Sequence, residues 1–214
     1  MIVRLLPAWE TALSGSAAGR QLPAAGKAGD GQRADCGCLQ LGIGTVREIG
    51  ETTAMIETTL QQVQLEQLSS IRHEVHIGNS SAASDLGIMV LKFAGSYGYG
   101  SEGNCDAIYM RAIGNACVDA WEPGGLIIDL SGLAYEWGDR LEMVFGIGNR
   151  QYEEMPFPVA LVVGEQCCEG IRTLLLGLNS PLPVTEAGWV FTELEQAWVY
   201  IEAEIHKFRR LQLL

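Results

Sequence analysis

A chain of 214 residues, 48% of them hydrophobic, has room for one ordinary domain plus an extension, and can build its core without disulfide staples. Its formal net charge of −12 argues against non-specific nucleic-acid binding, which neutralises phosphates with Lys and Arg. It holds no run of about 18 apolar residues, the length a membrane-spanning helix needs, so no membrane association is expected.

The charge is unevenly placed. Residues 1–54 carry five basic and five acidic residues, so the whole negative balance belongs to 55–214. Within 1–54, the stretch SGSAAGRQLPAAGKAGDGQRADCGCLQLGIG (14–44) is rich in Gly, Ala and Ser and has no helical or strand period. Such a segment cannot bury enough apolar surface to offset its ordering entropy. A low-complexity, disordered extension is therefore expected over 1–54, and an α/β domain over 55–214. The opening MIVRLLPAWETALSG lacks the continuous apolar stretch of a secretion signal. Of the six cysteines (36, 38, 105, 117, 167, 168), 105 and 117 fall at apolar helical positions, and 167 and 168 are adjacent. A cytoplasmic chain with reduced thiols is the expectation.

From residue 55 the pattern becomes regular. MIETTLQQVQLEQLS (55–69) places Ile56, Leu60 and Val63 on one face of a short helix. IRHEVHI (71–77) alternates as a half-buried strand does; SSAASD is a turn, and GIMVLKFA (87–94) is the next strand. Residues 104–121 put Cys105, Ile108, Tyr109, Ala112, Ala116 and Cys117 at helical spacing. LIIDLS follows as a central strand, then a helix over 139–150 with Leu141, Val144 and Phe145 inward. PFPVALVVG (156–164) is a buried strand and EGIRTLLLGL (169–178) a short helix. Thr192-Glu-Leu-Glu195 forms a capping box ahead of a docking helix with an apolar stripe of Leu194, Trp198, Ile201, Ile205 and Phe208. Strands separated by helices imply crossovers and a mixed, largely parallel sheet of four to five strands.

Four groups of residues invite chemistry, and each has an ordinary structural explanation. Gly98-Tyr-Gly-Ser-Glu-Gly103 is a formal dinucleotide fingerprint between strand and helix. Yet Glu102 and Asp106 put carboxylates where a pyrophosphate would sit, and Asp129 stands farther on than the usual ribose-binding acid. His73 and His76 lie three apart on a strand, so their rings diverge. Cys36 and Cys38 have no second pair at metal spacing. Cys167 or Cys168, at a helix start, would be a reactive thiol only if exposed, and His206 is badly placed to serve as its base. There is no G-x-S-x-G elbow and no P-loop. No catalytic residue, cofactor or metal is assigned.

The most unusual stretch follows the central strand: Asp129-Leu-Ser-Gly-Leu-Ala-Tyr-Glu-Trp-Gly-Asp-Arg-Leu141. With ALVVGEQCCEGIRTLLLGL and FTELEQAWVYI farther on, it resembles the sulphate transporter and anti-sigma factor antagonist (STAS) family over 71–205. Members of that family tend to read D-L-S-x-V-x-F-x-D-S-S-G-L at this strand. The resemblance implies a non-catalytic protein–protein interaction module in bacterial-type regulation, with a regulatory kinase or sigma-regulator as partner. Gly138 and Asp139 occupy the positions of the family's two serines, so the phosphoacceptor is absent. The partner-binding residues expected are Glu136, Trp137, Gly138, Asp139 and Arg140, with Asp139 also capping the next helix. Alternatively, GLIIDLSG and MPFPVALVVGEQCCEGI resemble the paired strands of the crotonase and Clp-protease folds. That would imply an acyl-transfer enzyme or a degenerate homologue, with oxyanion-hole amides after the second strand.

Overall fold

The computed structural model describes residues 60–80, 87–148 and 157–212. The extension expected over 1–54, Cys36 and Cys38 within it, and the first part of the helix expected over 55–69 lie outside these residues. Of that helix, only Leu65–Leu68 appears, as one 3-10 turn.

Five strands form one sheet: β1 (Arg72–Asn79), β2 (Gly87–Ser96), β3 (Gly125–Ala134), β4 (Val159–Val163) and β5 (Val190–Phe191). Their spatial order is the chain order; β1 runs antiparallel to β2, and β2 through β5 are parallel. Among the described residues four α-helices accompany them: α1 (Asn104–Trp121), α2 (Glu142–Phe145), α3 (Glu165–Leu176) and α4 (Leu194–Gln212). The mixed, largely parallel α/β sheet read from the sequence is the one observed. No helix among the described residues is long and apolar enough to cross a membrane.

Helices on both faces explain why β3 and β4 read as unbroken apolar runs rather than alternating ones. On one face Met89, Leu91, Phe93, Leu126, Ile128 and Leu161 join a cluster with α1, α2 and α3. On the other, Ile88, Val90, Ile127, Ala160 and Val162 meet Ala197, Ile201 and Ile205 of α4. The expected docking stripe is thus right at Ile201 and Ile205, and Trp198 packs half-buried against the same cluster. Ala197 fills the seat given to Leu194, which stays exposed, and the Phe208 side chain lies outside the described part. The first helical bond of α4 runs from the Ala197 N–H to the Glu193 carbonyl, so the helix begins one residue after the frame the capping box assumed.

Helix α1 has the expected ends, but of the expected inward face only Tyr109 is fully buried. Ala107, Tyr109, Met110, Gly114 and Val118 point inward, whereas Cys105, Ile108, Ala112 and Cys117 are half-buried and Ala116 is exposed. Apolar residues surround this helix, so two stripes fit a helical period. The choice falls to Gly114, which admits Ile147: a Cβ there would lie 2.4 Å from Ile147 Cδ1. Cys105 is disulfide-bonded, a departure from the fully reduced thiols expected; Cys117, Cys167 and Cys168 are free. The helix expected over 139–150 is a single α-turn, with Leu141, Val144 and Phe145 buried as expected.

Burial also sets an alkaline limit on the fold. It raises the Tyr97 phenol above its ordinary value and pushes Tyr135 and Tyr200 to about 12 and the Cys167 thiol to about 11. In the unfolded chain the thiol titrates near 9.0 and the phenols near 10.0. Between those values and the folded ones, the folded state holds protons that the unfolded state has lost. Stability from these groups is therefore fully present below about pH 9 and falls as pH rises toward about 12. Urea midpoints measured across this range should decline steadily; a flat profile would contradict the burial of these groups.

Candidate functional site

Adjacent parallel strands deliver their trailing loops to the same end of a sheet, and β2 and β3 do so here. The last register pair is Ser96 with Ala134. Beyond it, the Tyr97 N–H donates to the Ala134 carbonyl at 2.9 Å. Tyr97 and Tyr135 are both buried and meet edge to face, with centroids 5.3 Å apart. A short parallel bridge then joins Gly100 to Gly138. In it the Gly100 N–H donates to the Trp137 carbonyl (3.0 Å), and the Asp139 N–H donates to the Gly100 carbonyl (3.4 Å). The Gly138 N–H also donates to the Tyr135 hydroxyl at 3.2 Å. The sheet is thereby carried past its strands, and the 136–140 loop is held at its backbone.

The glycines have a definite task. Gly100 takes φ +59°, and a Cβ on it would lie 2.9 Å from the Trp137 ring. The indole therefore lies over Gly100 and beside Tyr99, with centroids 5.6 Å apart and planes inclined by 49°. Trp137 remains 50% exposed and Tyr99 64% exposed. Glu102, Glu136, Asp139 and Arg140 are exposed around this pair, and Gly138 is buried beneath it. The five expected residues lie on one loop, four with exposed side chains and Gly138 buried in the bridge to Gly100, where a Cβ would lie 2.5 Å from Tyr97 Cε1.

Asp139 is not the cap expected of it. Helix α2 has Leu141 at its N-cap and no side-chain cap bond. The winding starts with the Met143 N–H donating to the Arg140 carbonyl and the Val144 N–H to the Leu141 carbonyl, both past Asp139. Its carboxylate is left at the surface.

On the far side of Glu136, the first turns of α3 close a cleft of about 200 Å³, lined by Tyr135, Glu136, Glu165, Gln166, Glu169 and Gly170, with Thr173 behind. The Tyr135 N–H donates to the Gln166 carbonyl at 3.1 Å and ties loop to helix. Sequence reasoning missed Tyr99, Glu102, Glu165 and Glu169. The usable signal was topological: loops after neighbouring parallel strands converge at their carboxyl ends.

The other candidate sites resolve into structure. The Gly98 N–H, which a nucleotide phosphate would need, donates to Asp106 Oδ2 at 2.9 Å. That buried carboxylate also accepts from Ser69 Oγ at 2.6 Å. Gly103 is required for packing, since a Cβ there would lie 2.1 Å from the Tyr97 ring. Asp129 is held by Lys92 at 3.5 Å and by the Ser131 N–H at 2.9 Å. His73 Nδ1 lies 2.9 Å from the Tyr109 hydroxyl, while His76 is exposed beside Glu74, so the two rings do diverge. No group of three or more metal-binding side chains occurs among the described residues.

Cys167 is fully buried and its thiol donates to the Leu130 carbonyl at 3.2 Å, so at neutral pH it is a packed thiol and not a nucleophile. The Cys167 and Cys168 amides, in the EQCCEG turn, both donate to the Gly164 carbonyl, at 3.2 and 2.9 Å. An oxyanion hole cannot use them without breaking the start of α3. A larger open hollow of about 670 Å³ lies at the β1 edge. Of the groups that line it, Lys92 pairs with Asp129, His73 with Tyr109 and Glu74 with His76, and Glu66 and Arg72 line it as well.

No protein-family model matches the chain, and no curated protein matches it. Among solved structures it is similar to the crystal structure of an anti-sigma factor antagonist from Mycobacterium paratuberculosis. The two are 16% identical over 61% of this chain and 94% of that one, with a TM-score of 0.37. At that score the likeness assigns no function.

Proposed function

We propose that the chain is a non-catalytic protein–protein recognition module of a regulatory system, with Glu136, Trp137, Gly138, Asp139 and Arg140 forming its partner surface. One observation carries the reading: a half-exposed tryptophan, in tilted contact with a second exposed aromatic ring, stands on a loop fixed by backbone bonds. Large rigid aromatics lose little conformational entropy on binding and supply most of the energy at protein interfaces. The STAS resemblance of the DLSG and LEQA stretches points to a regulatory kinase or sigma-regulator as the partner. Because Gly138 has no hydroxyl and Asp139 already carries a charge at the neighbouring position, this surface is not switched by phosphorylation there.

The test is capture from a lysate of the source cell on the full chain and on its Trp137→Ala variant, followed by affinity measurement with the purified partner. The variant is expected to bind at least about 30-fold more weakly, the effect of losing one anchor worth about 2 kcal/mol. Equal affinities for the two chains overturn the assignment of this surface.

A further inference from the structure

The character of the surface around Trp137 constrains what can sit on it. Glu102, Glu136, Asp139 and Glu165 are exposed, and none forms an ion pair among the described residues. Glu169 of the same cleft is engaged by Arg172, whose Nε lies 2.8 Å from its carboxylate. The only cation on the 136–140 loop is Arg140. The two inclined aromatic rings thus stand on loops that also carry the exposed carboxylates Glu102, Glu136 and Asp139, and Glu136 lines the acidic cleft with Glu165 as well.

An aliphatic anchor placed here would cover the rings but would strip water from carboxylates and give them no partner. An anionic occupant, whether phosphate backbone or acidic lipid headgroup, would meet like charge at close range. A guanidinium satisfies both requirements together. It lies flat on an aromatic face while its planar fork of N–H donors reaches carboxylates at the edge. An ammonium, a compact and strongly hydrated point charge, matches the acids but gains less from the rings.

We propose that the occupant is a basic segment of a partner protein whose arginine lies on the Trp137–Tyr99 pair, with further cations directed to the cleft beside Glu136. This rests on the reading of the loop as a partner surface and names the chemistry that surface selects. It adds Tyr99 and Glu102 to the binding residues.

Nona-arginine and nona-lysine peptides, titrated into the full chain by calorimetry at low and high salt, separate the stacking contribution from simple charge attraction. The arginine peptide is expected to bind about two- to fivefold tighter, the weight of one exposed cation–π contact. Trp137→Ala and Tyr99→Leu should each abolish that preference, while Glu136→Gln weakens both peptides alike. Equal affinities for the two peptides in the native chain, or a preference that survives both aromatic substitutions, overturn the proposal. If the peptides show no preference but the captured protein is still lost with Trp137→Ala, the partner surface stands and the arginine assignment falls. If the preference depends on Trp137 but capture does not, arginine binding stands and the recognition role fails.

Discussion

Trp189→Ala is expected to lower the unfolding free energy by about 3–5 kcal/mol, the range for truncating a fully buried large aromatic. Trp189 is 0% exposed and meets Phe145 of α2 edge to face, with centroids 5.4 Å apart. Its carbonyl accepts from the Leu161 N–H at 3.0 Å, which ties the start of β5 to β4. The indole is the point where the one-turn α2, the last strand and the main core meet. Its ring N–H has no partner among the described residues, so truncation orphans no acceptor there and the loss is one of packing. Trp189→Phe should therefore recover much of the deficit, because it keeps a ring against Phe145 and removes an unsatisfied donor. Urea unfolding of the three chains measures both steps. A loss under about 1 kcal/mol for the alanine variant would mean that the site collapses freely around the gap.

Element order was legible because the strands that matter are buried on both faces. GIMVLKFA, LIIDLS and VALVV stand out as apolar runs bounded by Gly and Pro, which mark where the chain must leave the sheet. Helix α1 was legible in its ends for the same reason. Its buried face was not, because that depends on Ile147 fitting the space at Gly114, a contact that no local period encodes. The candidate site divides in the same way. Glu136–Arg140 stood out for chemistry that a core strand would not carry, but the role of Asp139 was misread. A helix start is set by where the carbonyls begin to accept, and here that is at Arg140, not at the nearest suitable side chain. The direction of Trp137 depends on Gly100, which lies across a pair of strands and outside the range of any local pattern. Tyr99 carries no signal of its own in the sequence, because its glycine-rich stretch reads as a nucleotide fingerprint and the ring meets Trp137 only across neighbouring strands.

The rigidity of that loop should be breakable from the opposite side. Gly170, inside α3, faces the loop's backbone: a Cβ on it would lie 2.7 Å from the Glu136 carbonyl oxygen and 2.8 Å from that of Tyr135. Gly164, just before the helix, is tighter still, with the Ser131 carbonyl oxygen 2.3 Å from its Cβ position. Helix propensity alone makes Gly170→Ala stabilising by about 1 kcal/mol. Contact with backbone atoms, which cannot swing aside as a side-chain tip can, reverses that sign. Both Gly164→Ala and Gly170→Ala are therefore expected to destabilise the fold by about 1–3 kcal/mol, measured by urea unfolding. Their functional consequences should differ. Gly164→Ala strains the junction of β4 and α3 at a distance from Trp137, whereas Gly170→Ala displaces α3 from Glu136 and opens the acidic cleft. Under conditions where both variants remain folded, Gly170→Ala should weaken partner binding more than Gly164→Ala does. If the two lose stability alike and bind alike, then the backbone bonds among Gly100, Gly138 and Tyr135 hold the aromatic pair without help from α3. The surface would then be a property of the two glycine loops alone.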